Sequence, residues 1–149
     1  MGNVTKSKLR IRVGHTGLVL MSRKHAPGTS KHDRLELIGG GLDWPESPRE
    51  ALLRELGEEE LSGDLRAMAS DPTRLLGPHR VVLDHGYHYL YELRLAPEHV
   101  SRLVPNDEES VGYVAVPAGI LEPGNGFFIT QKTERLLAAM GAQGVRWVL

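Results

Sequence analysis

The sequence predicts an α+β fold in which a mixed sheet is layered against two main helices. Strands are indicated by alternating apolar and polar residues near the amino terminus and by two β-type segments in the middle of the chain. Helices are indicated by good helix formers behind a capping box and by an amphipathic segment near the carboxyl terminus. No repeat, low-complexity tract or linker interrupts the pattern. We therefore expect one domain over residues 1–149.

The first strands precede a run of glycines. Apolar and basic side chains alternate over residues 8–13, which is typical of a half-buried strand. Residues 14–17 read Gly-His-Thr-Gly and indicate a turn, after which residues 18–21 predict a more buried strand. Residues 23–33 are polar and contain proline and glycine, so we expect a loop there. A short strand at 34–38 then leads into three consecutive glycines.

A helix follows the glycines. Ser47-Pro48-Arg49-Glu50 forms a capping box with proline at the first helical position. The interior, residues 51–61, is rich in Ala, Leu, Arg and Glu, which favour helix. A loop is expected near residues 70–73.

The remaining elements complete the sheet and add the second helix. Residues 81–83 and 87–95 are typical of a β pair, and residues 112–116 of a further strand. Residues 130–140 predict an amphipathic helix that stops at Gly141.

Composition excludes several classes of protein. The chain has 40% hydrophobic and 25% charged residues, a formal net charge of −1 and no cysteine. The balanced charge gives no electrostatic reason to bind nucleic acid polymers or anionic membranes. The lack of cysteine excludes disulfides and thiolate metal sites and suits a reducing cytosol. No apolar run approaches the ~20 residues of a membrane span, so we expect a soluble cytoplasmic protein.

Three carboxylates lie on one face of the first helix. Glu55, Glu58 and Glu59 have the spacing i, i+3 and i+4, which brings their side chains together. Like charges so placed repel each other by a few tenths of a kcal/mol per pair, roughly, on an exposed helix. A divalent cation would remove this repulsion, and Mg²⁺ prefers hard oxygen ligands of this kind.

The segment from Gly40 to Ser62 resembles the signature of the Nudix hydrolases. That signature is Gly-x5-Glu-x7-Arg-Glu-U-x-Glu-Glu-x-Gly-U, where U is a bulky aliphatic residue. A solvated acidic helix would account for the helical glutamates, but not for the glycine, glutamate and arginine at fixed spacing. The chain departs from the pattern at Leu61 and Ser62, and Ile38 replaces the usual proline. The matching residues are Gly40, Glu46, Arg54, Glu55, Leu56, Glu58 and Glu59.

The resemblance implies a fold, a reaction and a cofactor. The fold would be an α/β/α sandwich with a central mixed β-sheet. The reaction would be hydrolysis of a diphosphate bond linked to another group, usually a nucleoside. The cofactor would be Mg²⁺, with Mn²⁺ as a substitute. Many relatives are dimers, so the resemblance leaves room for a homodimer.

The resemblance also implies metal ligands. Glu58 and Glu59 would bind the metal, with the main-chain carbonyl of Gly39 nearby. Glu55 would be a further ligand or the base that deprotonates water.

Other residues would support or complete the catalytic set. Arg54 would orient the carboxylates by ion pairing, and Glu46 would hold Arg54 or a water, a role that a structural salt bridge also describes. A last acid would come from a later loop, where Asp107, Glu108 and Glu109 are the candidates and the latter two are preferred. Loop acids of this kind are also ordinary solvated surface.

The substrate-side residues are less marked. Arg23 and Arg34 flank the second strand and the loop after it, and we expect them to bind substrate together with Gly40. Lys24 and Lys31 stand in the same region. Ordinary surface charge is an equal explanation for each of these basic residues.

One proline bears on the substrate. Relatives that hydrolyse ADP-ribose carry a proline about sixteen residues beyond the signature, and Pro78 is the sixteenth residue counted from Ser62. Gly77-Pro78 is equally an ordinary turn. The clue favours a nucleoside diphosphate-linked substrate such as ADP-ribose or a nucleotide sugar. The alternatives are a nucleoside triphosphate pyrophosphohydrolase and a non-catalytic nucleotide-binding module.

Overall fold

A mixed sheet runs through the centre of the molecule. The computed structural model describes residues 5–84, 86–122, 124–126 and 128–149. Within these residues the strands are β1 (Lys6–Val13), β2 (Leu18–Lys24), β3 (Leu35–Glu36), β4 (Ile38–Gly41), β5 (Leu76–Leu83), β6 (Gly86–Leu95) and β7 (Ser110–Pro117). The helices are α1 (Pro48–Glu59), α2 (Asp64–Ala69) and α3 (Gln131–Gln143), with short 3-10 turns at Pro97–Arg102 and Ala118–Leu121.

Strand β1 organises the sheet. Its neighbours are β6, which is parallel to it, and β2 and β4, which are antiparallel. The main order is β3-β2-β1-β6-β5, with β7 paired to β2. The predicted mixed sheet and the predicted pairing of the two middle strands are confirmed.

Helices cover both faces of the sheet. On one face, α1 and α2 bury a core that includes Leu9, Ile11, Ile38, Leu52, Leu56 and Leu65. On the other, α3 buries a core that includes Val19, Met21, Leu37, Leu90, Leu136 and Leu137. The expected α/β/α sandwich is therefore confirmed. None of the helices in the described ranges is long and apolar enough to cross a membrane.

Strand β1 is buried more fully than its alternating pattern predicts. Arg10 is 4% exposed and Glu92, on β6, is 0% exposed. The two form a salt bridge of 3.1 Å. The end of the chain covers them, because Glu92 accepts hydrogen bonds from the main-chain N–H groups of Val148 (2.7 Å) and Leu149 (3.0 Å). Arg10 in turn donates to the carbonyl of Leu149 at 2.6 Å. The half-buried pattern holds at Lys8 and Arg12, which are partly exposed, and it breaks at Arg10, because a distant segment covers that side chain.

Three further predictions about elements are corrected. Helix α3 continues through Gly141 to Gln143, and it ends where Gly144 adopts a left-handed conformation with φ 69°. Residues 34–38 hold two short strands instead of one, with β3 paired to β2 and β4 paired to β1. Helix α2 was not predicted, since it is only six residues long and begins after a left-handed glycine at Gly63.

Candidate active site

Helix α1 presents the acidic residues because its other face is buried. Ser47 accepts a hydrogen bond from the Glu50 N–H (3.1 Å), and Glu50 accepts one from the Ser47 N–H (3.2 Å), so the predicted capping box is confirmed. The apolar face of α1 is anchored in the core by Ala51, Leu52 and Leu56. The carboxylates therefore project along the side of α1 that lies beside β4.

Arg54 lies at the centre of the acidic cluster. It holds Glu46 with two hydrogen bonds, Nε to Oε2 at 2.8 Å and Nη2 to Oε1 at 3.1 Å. Its Nη1 donates to Glu55 (3.1 Å) and reaches both oxygens of Glu58 (3.4 Å). Nη2 also donates to the carbonyl of Gly41 at 2.8 Å, which ties the guanidinium to β4. One arginine thus contacts three of the carboxylates that were predicted to form the site.

The pKa values of these carboxylates respond differently to Arg54. Its hydrogen bonds lower the pKa of Glu46, and they raise the pKa of Arg54 itself. For Glu55, burial prevails over Arg54 and raises the pKa above its ordinary value.

Glu59 is held by the main chain of β4. Its Oε2 accepts a hydrogen bond from the main-chain N–H of Gly39 at 2.9 Å. Burial raises its pKa to about 8, Glu109 and Glu55 add to the rise, and the ammonium of Lys8 opposes it. Among the carboxylates of this site, Glu59 is therefore the one whose ionisation burial opposes most strongly.

Two glycines of β4 allow this close approach. Gly39 has φ 131°, and a Cβ there would lie 2.1 Å from the carbonyl oxygen of Ser7 on β1. A Cβ on Gly40 would lie 2.5 Å from the carboxylate of Glu55. A side chain at Gly39 would require β1 to move, whereas one at Gly40 would displace the carboxylate of Glu55. Gly40, predicted to bind substrate, thus lies directly against Glu55.

Lys8 also reaches this site, which the sequence did not indicate. Its Nζ donates to the carbonyl of Gly39 at 3.1 Å. Lys8 belongs to the alternating pattern of β1, so the sequence predicts only an ordinary polar residue of a strand. Only the pairing of Lys8 with Gly39 across β1 and β4 places it here.

The acidic loop before β7 is docked on the end of α1. Asn106 donates from its N–H to the carbonyl of Glu59 (2.8 Å) and from Nδ2 to the carbonyl of Glu58 (3.1 Å). Tyr113 donates its hydroxyl to the same Glu59 carbonyl at 3.0 Å. These contacts bring Glu109 close enough for its charge to raise the pKa of Glu59, and of Glu55 as well.

All three loop acids, Asp107, Glu108 and Glu109, have exposed side chains. The sequence indicated that this loop was relevant, but it gave no sign of the part that Asn106 plays.

The departures from the signature have a structural explanation in Glu60. This buried carboxylate accepts hydrogen bonds from the hydroxyl and N–H of Ser62 and from the N–H groups of Leu65 and Val104. Burial alone would raise the pKa of Glu60, but these hydrogen bonds hold it below the usual value. Ser62 and Glu60 together thus build the turn after α1, where the family pattern has glycine and an aliphatic residue.

The basic residues predicted to bind substrate line a cavity. Arg23 and Arg34 both lie on a cavity of about 500 Å³ between β2, β3 and β7. Arg34 is held there by a hydrogen bond from Nη1 to the carbonyl of Gly126 at 2.8 Å. Pro78 lies elsewhere, on β5, beside an irregularity in its pairing with β6. The cavity is also lined by His32, Asp33, Leu35, Val114, Val116 and Phe128.

The donor atoms suit a hard divalent cation, although they are not assembled around one. Among the described residues, no three acidic or histidine side chains are arranged to hold a metal ion. The reason is visible, since Arg54 draws Glu55 and Glu58 towards itself while Glu59 binds the Gly39 N–H. The acidic side chains offer carboxylate oxygens, the ligands that Mg²⁺ prefers. Because the pKa values of Glu55 and Glu59 are raised, a nearby cation would favour ionisation of both. The residues present therefore fit such an ion.

This fold and these carboxylates define an α/β/α domain with an acidic site beside β4. A family model described as NUDIX domain matches residues 9–131, and the chain belongs to this family. Nudix enzymes generally use divalent metals and act on small-molecule nucleotide substrates. None of the curated proteins matches the chain.

Solved structures with the same fold share little sequence with the chain. A MutT/nudix family protein from Enterococcus faecalis is 15% identical, with TM-score 0.57, and the match covers 77% of this chain and 44% of that one. The E. coli dihydroneopterin triphosphate pyrophosphohydrolase is 18% identical, with TM-score 0.56 and coverage of 88% and 89%.

A bifunctional NMN adenylyltransferase/ADP ribose pyrophosphatase from Francisella tularensis, complexed with AMP and Mn ion, is 15% identical, with TM-score 0.58 and coverage of 95% and 42%. The chain thus spans less than half of the E. faecalis and F. tularensis chains. At these identities the likeness concerns the fold alone.

Proposed function

We propose that the protein is a Mg²⁺-dependent hydrolase that cleaves the diphosphate bond of a nucleoside diphosphate-linked small molecule, such as ADP-ribose or a nucleotide sugar. The observation that carries the proposal is the organisation of the acids by Arg54. Its guanidinium holds Glu46, Glu55 and Glu58 at 2.8–3.4 Å. Glu59 lies alongside on the Gly39 N–H. A merely solvated acidic helix has no need of such a network.

The metal would be held by side chains of α1. Glu55, Glu58 and Glu59 are the proposed ligands, with the carbonyl of Gly39 as a further oxygen, and Mn²⁺ could replace Mg²⁺. When bound, the ion supplies charge neutralisation for the phosphates and lowers the pKa of a coordinated water. The carbonyl of Gly39 has a second lone pair besides the one that Lys8 occupies.

The chain's own residues would then perform three tasks. Glu55 or Glu109 takes the proton from the attacking water, and burial, which raises the pKa of Glu55, makes that carboxylate a better proton acceptor. Arg54 and Glu46 fix the direction of the carboxylates. Arg23 and Arg34 bind substrate phosphates in their cavity, and Gly40 lets the substrate approach the main chain of β4.

The alternative of a nucleoside triphosphate substrate has an observation of its own. A second basic cavity adjoins Arg34, and it could take additional phosphates. The non-catalytic alternative has less support, since every acid of the signature is present and the turn at Leu61 and Ser62 is well hydrogen-bonded. A single domain, a homodimer and a cytoplasmic location stay predictions from the sequence.

A substrate screen tests the proposal. ADP-ribose, a nucleotide sugar, dinucleoside polyphosphates and nucleoside triphosphates would be incubated with the protein in Mg²⁺ and in EDTA, with products separated by chromatography. We expect nucleoside monophosphate to be released from a diphosphate-linked compound only in Mg²⁺. If none of these compounds is hydrolysed while one of them binds tightly in EDTA, the protein is a binding module and the proposal is wrong.

A further inference from the structure

The sheet has two long edge strands, and only one of them is protected. In the described ranges, β5 pairs only with β6, and β7 pairs only with β2. An edge strand presents unpaired N–H and C=O groups, so another chain can add to it as a further strand. What lies on each edge therefore decides whether the sheet can be extended there.

The edge of β5 is blocked by the side chain of Gln143, at the end of α3. The Nε2 of Gln143 donates to the carbonyl of Val82 at 2.6 Å, and its Oε1 accepts from the N–H of Val82 at 2.8 Å. A side-chain amide carries the same donor and acceptor as a peptide group, so Gln143 takes the position of a neighbouring strand. Further along β5, Arg80 is charged and exposed and Pro78 has no N–H, and both features oppose strand addition.

Strand β7 is less protected, since its only proline is its last residue. Residues 110–117 read Ser-Val-Gly-Tyr-Val-Ala-Val-Pro and include no charged side chain. Val111 is 51% exposed, and the side chain of Ala115 is exposed as well. An uncharged and partly apolar edge of eight residues is of the kind that pairs with another chain.

The direction of the free main-chain groups on β7 follows from its contact with β2. Just beyond β7, the N–H of Ala118 donates to the carbonyl of Gly17 at 3.0 Å, on the side of β2. Because successive residues direct their main-chain groups to opposite edges of a strand, those of Tyr113 and Ala115 point away from β2. No other strand in the described ranges pairs with β7 on that side. The middle of β7 therefore offers both donors and acceptors to a partner.

A second copy of the chain matches these donors and acceptors. If two β7 strands lie antiparallel, the N–H of Tyr113 in one copy meets the carbonyl of Ala115 in the other, and symmetry supplies the reverse contact. Since β7 has no charged side chain, like charges do not repel each other along the paired strands. A charged peptide, in contrast, would find no residue of opposite charge on β7 that could select it.

We propose that β7 is a dimer interface, through which two copies of the chain pair antiparallel and join their sheets into one. The block on β5 then has a separate role. It leaves each copy with one open long edge, so the assembly closes at two copies instead of growing into a filament. The proposal concerns assembly and is independent of the hydrolysis proposed above.

Sedimentation velocity of the purified protein, over a range of concentrations, tests the interface. We expect wild type to show a monomer–dimer equilibrium. Ala115→Lys places a charge on the open edge, and Ala115→Pro removes an outward N–H while leaving the contacts with β2, so each should weaken the dimer roughly tenfold or more. Circular dichroism would check that both variants fold.

Val82→Lys is the matched control, because it adds the same charge to an exposed valine of the blocked edge. It should dimerise as wild type does. A wild type that is monomeric at every concentration would overturn the proposal, whether or not another protein binds β7. Normal dimerisation of Ala115→Lys would overturn it as well.

The block on β5 is tested by opening that edge. An Arg80→Thr/Gln143→Ala variant removes both the charge and the amide, so we expect species larger than a dimer. Adding Ala115→Lys to this variant should limit it to dimers again, since only β5 is then open. An Arg102→Thr/Gln131→Ala variant makes the same changes at other exposed positions and should behave as wild type. If the edge-opened variant stays dimeric, the role given to Gln143 is wrong. If adding Ala115→Lys leaves the large species unchanged, β7 is not the interface.

Discussion

The acidic cluster of α1 and the lysines around the start of α3 differ in how their charge is balanced. These lysines line three neighbouring cavities, and they are Lys6, Lys8, Lys24, Lys31 and Lys132. In the acidic cluster, Arg54 contacts Glu46, Glu55 and Glu58, so these three carboxylates share one counterion from the chain. Around the start of α3, Glu36 is the only acid that pairs with a lysine among the described residues. A single arginine thus organises the acids, whereas the lysines have no such common partner among the described residues.

This difference indicates separate physical requirements. Catalytic carboxylates must keep a fixed direction, and a planar guanidinium with several donors can hold them without an added ion. A lysine without an acidic partner keeps its charge available to solvent or to a ligand, since an internal partner would compete for it. The following predictions test the two halves of this comparison, beginning with the largest expected effect.

Glu59→Gln should abolish most of the activity. The substitution removes the proposed ligand that Arg54 does not hold, so we expect turnover in Mg²⁺ to fall roughly 100-fold or more, equivalent to several kcal/mol in the transition state. The variant should fold normally because glutamine keeps the size of the side chain. Release of nucleoside monophosphate and circular dichroism would measure the two quantities.

Glu98→Gln is the matched control for that experiment, since Glu98 is exposed in the turn after β6. It should retain wild-type turnover. Full activity of Glu59→Gln in the same assay would show that the metal assignment is wrong.

Arg54→Lys should have the next largest effect. Lysine keeps the positive charge but cannot hold Glu46 with two hydrogen bonds while reaching Glu55 and Glu58. We expect kcat to fall roughly 10- to 100-fold, as for other residues that orient metal ligands. Mg²⁺ titrations of the activity would follow the metal affinity. If kcat and metal affinity were both unchanged, charge alone would suffice and the positioning role would be rejected.

The stability of the metal-free protein should have a minimum near pH 8. The pKa of Glu59 rises from 4.5 to about 8 on folding, so the folded state retains a proton that the unfolded state loses, and stability falls as pH rises through this window. The pKa of Lys6 falls from 10.5 to about 8, so its contribution to stability rises as pH rises from about 8 to 10.5. Melting temperatures measured in EDTA as a function of pH would follow the fall below pH 8 and the rise above it.

One substitution tests each of the two pH ranges of this stability profile. Glu59→Gln should flatten the fall below pH 8, and Lys6→Gln should flatten the rise above it. Mg²⁺ should raise the melting temperature of wild type most clearly near pH 8, where Glu59 most needs a counterion. A wild-type profile with its maximum at pH 8 would contradict both pKa shifts.

Glu60→Gln should have the smallest effect on activity and should mark the boundary of the acidic cluster. Glu60 directly follows Glu59, but its carboxylate is satisfied by Ser62, Leu65 and Val104. Loss of charge-assisted hydrogen bonds should lower the free energy of unfolding by about 1–3 kcal/mol, with kcat/KM nearly unchanged. Urea denaturation and the hydrolysis assay would separate the two effects. A large loss of kcat/KM in a folded variant would place Glu60 within the catalytic set.

Local chemistry explains which features the sequence predicted. The capping box at Ser47 and the acidic face of α1 depend on residues three or four positions apart, so their spacing alone indicates them. The expected contact between Glu46 and Arg54 followed from the family resemblance, and in the structure two hydrogen bonds join these side chains.

The features that were missed depend on tertiary pairing. Lys8 reaches Gly39 only because β1 pairs with β4, and the lysines around the start of α3 come from four separate segments of the chain. The burial of Arg10 depends on residues near the end of the chain. The prediction that α3 stops at Gly141 was wrong for a different reason. Glycine is tolerated inside a packed helix, and the residue with the left-handed conformation is Gly144.

The contact between Arg10, Glu92 and residues 148–149 has a consequence for the sheet. Glu92 occupies a central strand, yet the N–H groups that satisfy it belong to Val148 and Leu149. Removal of these two residues would leave a buried carboxylate short of two hydrogen bonds. Residues 148–149 should therefore act as a latch on the centre of the sheet, and a variant without them should unfold more readily.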